Sequence, residues 1–168
     1  MKFRYCPDCG ALLSARDLGD DKDIPWCERC SRPWFPIFPT CVISLVHNSH
    51  GEVLLLRQGY ISTQYANLVS GYMQPGETAE EAALREIHEE TGLEVISLHP
   101  AGTYWFSKKG MLMIGFTALV ADELEVKLSC EVDSAEWCEA PEAVDKVHPE
   151  GSVSHTLCAL YLDMINRK

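Results

Sequence analysis

Positive charge is scarce in this chain: 14 Lys and Arg stand against 25 Asp and Glu, a formal net charge of −11 over 168 residues. A surface whose main task is to hold nucleic-acid backbones needs clustered cations, so that class is disfavoured. Any phosphate-bearing ligand must then be met by something other than bulk basic charge. Long apolar runs are missing as well, since no stretch approaches the ~20 residues of a membrane-spanning helix. The first residues lack the basic-then-apolar pattern of a secretory leader. These absences predict a soluble, cytoplasmic protein with no membrane partner. None of the six histidines forms a ligand-like pair. The length and a hydrophobic content of 46% allow one principal core with a small appendage.

Cysteine, by contrast, is plentiful and unevenly arranged. Cys6, Cys9, Cys27 and Cys30 form the pairs CPDC and CERC, while Cys41, Cys130, Cys138 and Cys158 stand alone. Two CxxC pairs at this separation supply four thiolates for a tetrahedral Zn2+, a closed structural site with no open coordination position. The prolines of RPWFPIFP predict an extended connection and a boundary near residue 35. That gives a zinc ribbon over 1–35 and a second domain over 36–168. In the latter, CVISLV and EVLLLR predict a hairpin, ANLVS leads a strand into Gly71, and MLMIGFTALV predicts a buried strand. Helical spacing of apolar residues after Ser152 predicts a C-terminal amphipathic helix. Strands with at least two packed helices place the fold in the α/β or α+β class.

The stretch GYMQPGETAEEAALREIHEETGL, residues 71–93, is the most telling. Thr78 and Glu81 have the form of a capping box and Gly92 suits a left-handed C-terminus, predicting a helix from Ala79 to Thr91. Glu86, Glu89 and Glu90 fall on one arc of it, with Ala83, Leu84 and Ile87 on the neighbouring, core-facing arc. Like charges at these spacings destabilise a helix unless a divalent cation joins them.

Gly71, Glu77, Arg85-Glu86, Glu89-Glu90 and Gly92-Leu93 at these spacings resemble the Nudix box. The resemblance implies a Nudix α/β/α sandwich with a mixed β-sheet, and hydrolysis of a nucleoside diphosphate linked to another moiety with Mg2+ or Mn2+. It implies that Glu86, Glu89 and Glu90 bind the metal, with Glu89 or Glu90 orienting the attacking water. Gly71, Glu77, Arg85 and Gly92 become supports of the box.

The ribbon, the proline linker, MLMIGFTA and CEVDSAEWC are similar to the NADH pyrophosphatase branch of that family, though the branch's SQPWPFP array is replaced by GTYWFSKKG and the chain starts at the ribbon. On this resemblance Glu131 is a fourth metal ligand or a base, or else one of many exposed acids. Ser154 would place a helix N-terminal amide near phosphate. Trp105, Phe106 and Tyr72 are candidates to bind the substrate, with core or dimer packing as the alternative for Trp105 and Phe106. Expected substrates resemble NADH, NAD, ADP-ribose or FAD, with nucleotide-capped RNA sharing the chemistry. The resemblance also implies a homodimer. A non-catalytic nucleotide-sensing module, its ribbon contacting protein or nucleic acid, is the alternative reading.

Overall fold

A computed structural model describes residues 3–121 and 125–167. The chain divides after Pro39 into two compact units; this division and the boundary expected at residue 35 both fall in the proline-rich stretch.

In the first unit, β1 (Ser14–Leu18), β2 (Asp21–Cys27) and β3 (Arg32–Pro33) form an antiparallel sheet in that order. Gly10 and Ser31, each following the second cysteine of a pair, both adopt positive φ, 72° and 50°. The Gly10 amide donates to the Cys6 carbonyl at 2.9 Å, and the Cys30 amide donates to Cys27 Sγ at 3.3 Å. These turns bring the four sulfurs within 4.8 Å of one another. Among the described residues of this unit, only Cys6, Pro25 and Cys27 are buried, so the thiol cluster stands where a core would be. Its surface carries Arg16 over the Trp26 ring and Arg32 over the Trp34 ring, with Phe3 edge-on to Trp34.

The second unit contains β4 (Thr40–His47), β5 (Val53–Arg57), β6 (Val69–Tyr72), α1 (Ala79–Thr91), β7 (Val95–Phe106), β8 (Met111–Val120), β9 (Ser134–Cys138), α2 (Ala140–Lys146) and α3 (Val153–Asn166). The sheet order is β7-β8-β4-β5-β9, with β6 also paired to β4. β4 and β8 are parallel and the other pairs antiparallel, which makes the sheet mixed. Alternation along β4 separates two cores. Ile43 and Leu45 pack with Leu157 and Tyr161 of α3, whereas Val42 packs with Ala82 and Ala83 of α1, and Val46 with Ile87. The result is an α/β/α sandwich.

Two features of the packing shape the box region. One edge of β4 pairs with β8 along its whole length, but the other is shared: β6 takes Cys41–Ser44 and β5 meets β4 only at His47 and Val53. β5 and the approach to β6 are joined where Leu56 and Asn67 exchange backbone bonds at 2.9 and 2.8 Å, and among the described residues the two strands part beyond that point. The helix α1 also turns a different arc inward than its apolar spacing predicts. Leu84 is 42% exposed, while Ala82, Ala83, Ile87, Glu90 and Thr91 are buried. Small alanines let the helix approach the sheet closely, and the inward arc then includes carboxylates. The strands β7 and β9 and the short α2 are not evident in the sequence pattern; Pro100 and Gly102 interrupt β7, and its register shifts between Pro100 and Thr103 absorb them.

Candidate active site

The box helix is locked at both ends. Thr78 Oγ1 accepts the Glu81 amide at 3.2 Å and Glu81 Oε2 accepts the Thr78 amide at 2.8 Å, while Gly92, at φ 68°, donates to the His88 carbonyl at 2.8 Å. These caps fix the axial position of every glutamate between them.

Arg85 is the hub of the cluster. Its Nε and Nη2 donate to the two oxygens of Glu77 at 3.0 and 2.8 Å. Its Nη1 donates to Glu86 Oε1 at 2.7 Å and Glu89 Oε2 at 3.0 Å, and Nη2 also reaches the Tyr72 carbonyl at 3.2 Å. Hydrogen bonding to Glu77 raises the Arg85 guanidinium further above its ordinary value, and Arg85 in turn holds the Glu77 carboxyl below its own. Glu77 also accepts the Gln74 amide, so the turn before the helix is tied to the helix itself.

The remaining acids sit where β5 and β6 part. Gly71, opposite Val42 in the register, leaves space that the Glu86 carboxyl fills. Burial raises the Glu86 carboxyl, Arg85 draws it down, and Glu89 and Glu77 push it up again. Glu90 is 4% exposed, with Oε1 accepting from Gln58 Nε2 at 2.9 Å and Oε2 buried without a partner. Burial pushes Glu90 up to about 7, with Glu86 and Glu131 adding to the rise and Gln58 and the Ser70 backbone opposing it.

Glu131 is exposed, on the segment before β9. It acts electrostatically on both Glu90 and Tyr60, whose phenol is raised by burial and then by Glu131, Glu90 and Glu86. Gln58 and Tyr60 enter the cluster without a sequence motif to announce them.

A divalent cation suits this donor set: burial raises both Glu86 and Glu90, Glu86 raises Glu90 further, and one Glu90 oxygen has no hydrogen-bond partner. The glutamate oxygens do not converge as the thiols do. Among the described residues, only the four cysteines form a group of three or more ligands within 4.8 Å. A single Arg85 nitrogen, Nη1, bridges Glu86 and Glu89; a hard divalent cation takes few protein oxygens and completes its shell with water.

The candidate substrate residues separate by face. Cross-strand register aligns Tyr72, Cys41, Met113 and Tyr104 in one row, on the α3 side, where Met113 and Tyr104 border the α3 core. Phe106 alternates onto the same face and Trp105 onto the other. Tyr72 and Trp105 are therefore divided by the sheet, and both are more than half exposed.

Ser154 lies in the first turn of α3, beyond the cap Ser152, whose Oγ accepts the His155 amide at 3.1 Å. The β7–β8 turn reaches this end of the sheet. Cys41 is pushed up to about 12 by burial and by Glu86, with Lys109 opposing; burial and Lys108 lower His148, whose ring lies 4.9 Å from Tyr65.

The thiol cluster has a different character. The Cys9 and Cys27 sulfurs are 3.6 Å apart and those of Cys6 and Cys30 3.9 Å, close to the ~3.8 Å edge of a tetrahedron with Zn–S bonds of about 2.3 Å. Cys30 is pushed up to about 12 by Cys9 and by burial, so full ionisation of the four calls for a shared cation.

The NUDIX domain profile matches residues 38–156. The NAD-capped RNA hydrolase NudC of Pseudomonas aeruginosa PAO1 is 28% identical over 159 residues, covering 95% of this chain and 55% of that protein. The NAD-capped RNA hydrolase NUDT12 of Pongo abelii is 26% identical over 151 residues, covering 86% and 32% respectively. The chain thus spans about half the length of the bacterial relative, and less of the other. Among solved structures, a NUDIX hydrolase from Nitrosomonas europaea superposes with a TM-score of 0.71 at 18% identity, covering 99% of this chain and 93% of its own. The NUDIX domain of Shewanella oneidensis NrtR, complexed with ADP ribose, gives 0.64 at 15% identity, covering 83% and 94%.

Proposed function

The chain belongs to the Nudix family, and from that premise we propose that it is a metal-dependent pyrophosphohydrolase acting on NAD-like substrates. It would cleave the diphosphate of a nucleoside diphosphate linked to another moiety, giving a nucleoside monophosphate and a second phosphorylated product. The observation that carries this reading is the Glu86 carboxyl seated against Gly71 within electrostatic reach of buried Glu90, with Arg85 bracing Glu77, Glu86 and Glu89. The names of the NudC and NUDT12 relatives support the NAD-like substrate class.

Glu86, Glu89 and Glu90 would hold Mg2+ or Mn2+, which when bound neutralises charge on the diphosphate and acidifies a water. Hydrolysis adds one water across the P–O–P bridge: its oxygen joins one phosphorus, and the bridging oxygen leaves with the other. Glu89, about half exposed with one oxygen on Arg85, or Glu131, within electrostatic reach of Glu90 and Tyr60, would accept the water's proton. Arg85 keeps the acids from shifting as substrate charge arrives. Tyr72 and Phe106 offer aromatic surface on the α3 side for a base, and Lys108 and Lys109 offer cations nearby. The four cysteines would hold a structural Zn2+.

The test is product analysis with NADH, NAD, ADP-ribose, FAD and NAD-capped RNA in Mg2+ and in Mn2+, with Glu89→Gln as the control. Cleavage to a nucleoside monophosphate by the wild type, lost in Glu89→Gln, is expected. Nucleotide binding without turnover of any of them would overturn the enzyme reading in favour of a nucleotide-sensing module.

A further inference from the structure

Of Glu77, Glu86, Glu89 and Glu90, the first three share the Arg85 guanidinium; Glu90 does not. Its one side-chain partner is Gln58, thirty-two residues away in sequence and immediately after β5. Gln58 is 1% exposed, and its own Oε1 is buried with no hydrogen-bond partner. An amide kept in a core for structural reasons should have both ends satisfied, because an unpartnered buried carbonyl bears its full desolvation penalty. Here only the NH2 end is used, donating to Glu90 at 2.9 Å and, at the longer distance of 3.5 Å, to the Tyr60 hydroxyl.

We propose that Gln58 is a positioning residue that pins Glu90 Oε1 and thereby presents Oε2 to a divalent cation. This rests on the reading of Glu90 as a metal ligand. The choice of an amide has a physical reason. A Lys or Arg beside Glu90 would fix it equally well but would neutralise the charge that attracts the cation; an apolar residue would leave both buried oxygens bare, favouring a protonated acid. A neutral donor orients the carboxylate and leaves its charge in place. Partners of this kind orient metal ligands and raise affinity. Leu54 and Leu56 of β5 pack with Ile87 of α1, so alternation carries Gln58 onto the face where it meets Glu90.

The test is Mn2+ binding to the metal-free glutamate site of the zinc-loaded protein, followed by electron paramagnetic resonance without substrate. Gln58→Met removes the amide at nearly constant length, and Gln58→Asn withdraws it by one methylene; circular dichroism checks the fold, and either variant alone suffices. Each is expected to bind Mn2+ about 10- to 100-fold more weakly than wild type. Gln58→Met added to Glu90→Gln is expected to change affinity by no more than about twofold, since the amide acts only through Glu90. Affinity within about twofold of wild type in the folded Gln58 variants, with Glu90→Gln still weak, would overturn the proposal and leave the metal reading standing. Mn2+ binding unchanged in Glu90→Gln, or absent in wild type, would instead sink the metal reading and this inference with it.

Discussion

A Cβ added to Gly71 would lie 2.0 Å from the Cδ and Oε1 atoms of Glu86. No side chain fits there while the carboxylate stays, so the glycine reserves volume for an acid fifteen positions later. Gly71→Ala is expected to displace Glu86 and reduce hydrolysis by about 100-fold or more, since misplacement near 1 Å costs that much. Steady-state kinetics on the best-cleaved dinucleotide, with Mn2+ affinity measured alongside, decides this; near wild-type values in both would refute it.

The Nudix box was legible because its determinants are local. The capping box, the glycine stop and the spacing of the acids all lie within a few helical turns, and the helix occupies Ala79–Thr91. The contacts of its inward face were not legible. Leu84 looks like core by spacing, but the alanines at 82 and 83 decide which arc meets the sheet. Likewise, nothing near Gln58 in sequence announces its bond to Glu90, which exists only once β5 packs against α1. The separation of Trp105 from Tyr72 follows from alternation along β7, but only after its register through the irregularity at Pro100 is known.

Arg85→Lys tests the hub. An ammonium cannot reproduce the paired bonds to Glu77 while also reaching Glu86, Glu89 and the Tyr72 carbonyl. Chemical denaturation should show a loss of about 1.5–3 kcal/mol, the range for hydrogen bonds to charged groups. A midpoint equal to wild type would mean that the bonds are replaced by water at no cost.

Glu77 supplies an acid-dependent signature. Its folded carboxyl lies below the ordinary value because of Arg85 and the Gln74 amide. The stability it contributes is therefore fully present above the unfolded carboxylate pKa and is lost as pH falls through the lower, folded value. The difference in melting temperature between wild type and Glu77→Gln should be flat above about pH 5 and close on acidification. A difference that widens toward acid would contradict the assignment.

The ribbon makes the complementary prediction. Purified wild type should carry one equivalent of zinc per chain by elemental analysis, and Cys27→Ser with Cys30→Ser should carry none and lose the dispersed amide resonances of residues 3–39. A zinc-free wild type with those resonances intact would show that the thiols hold the fold without metal.

The Arg85 contacts also bear on the order of assembly. The acidic helix brings its own cation, built into the chain and already in contact with three carboxylates, so this face can fold before any ion arrives. On the proposed function, the metal there would load and leave as an exchangeable visitor, responding to supply. Among the described residues no ion pair or hydrogen bond ties a Lys or Arg to the four sulfurs, so with zinc as the proposed ligand, folding there would wait for capture. One polypeptide would thus hold two dependencies on metal supply: one set when the chain matures, the other renewed with each exchange of the ion.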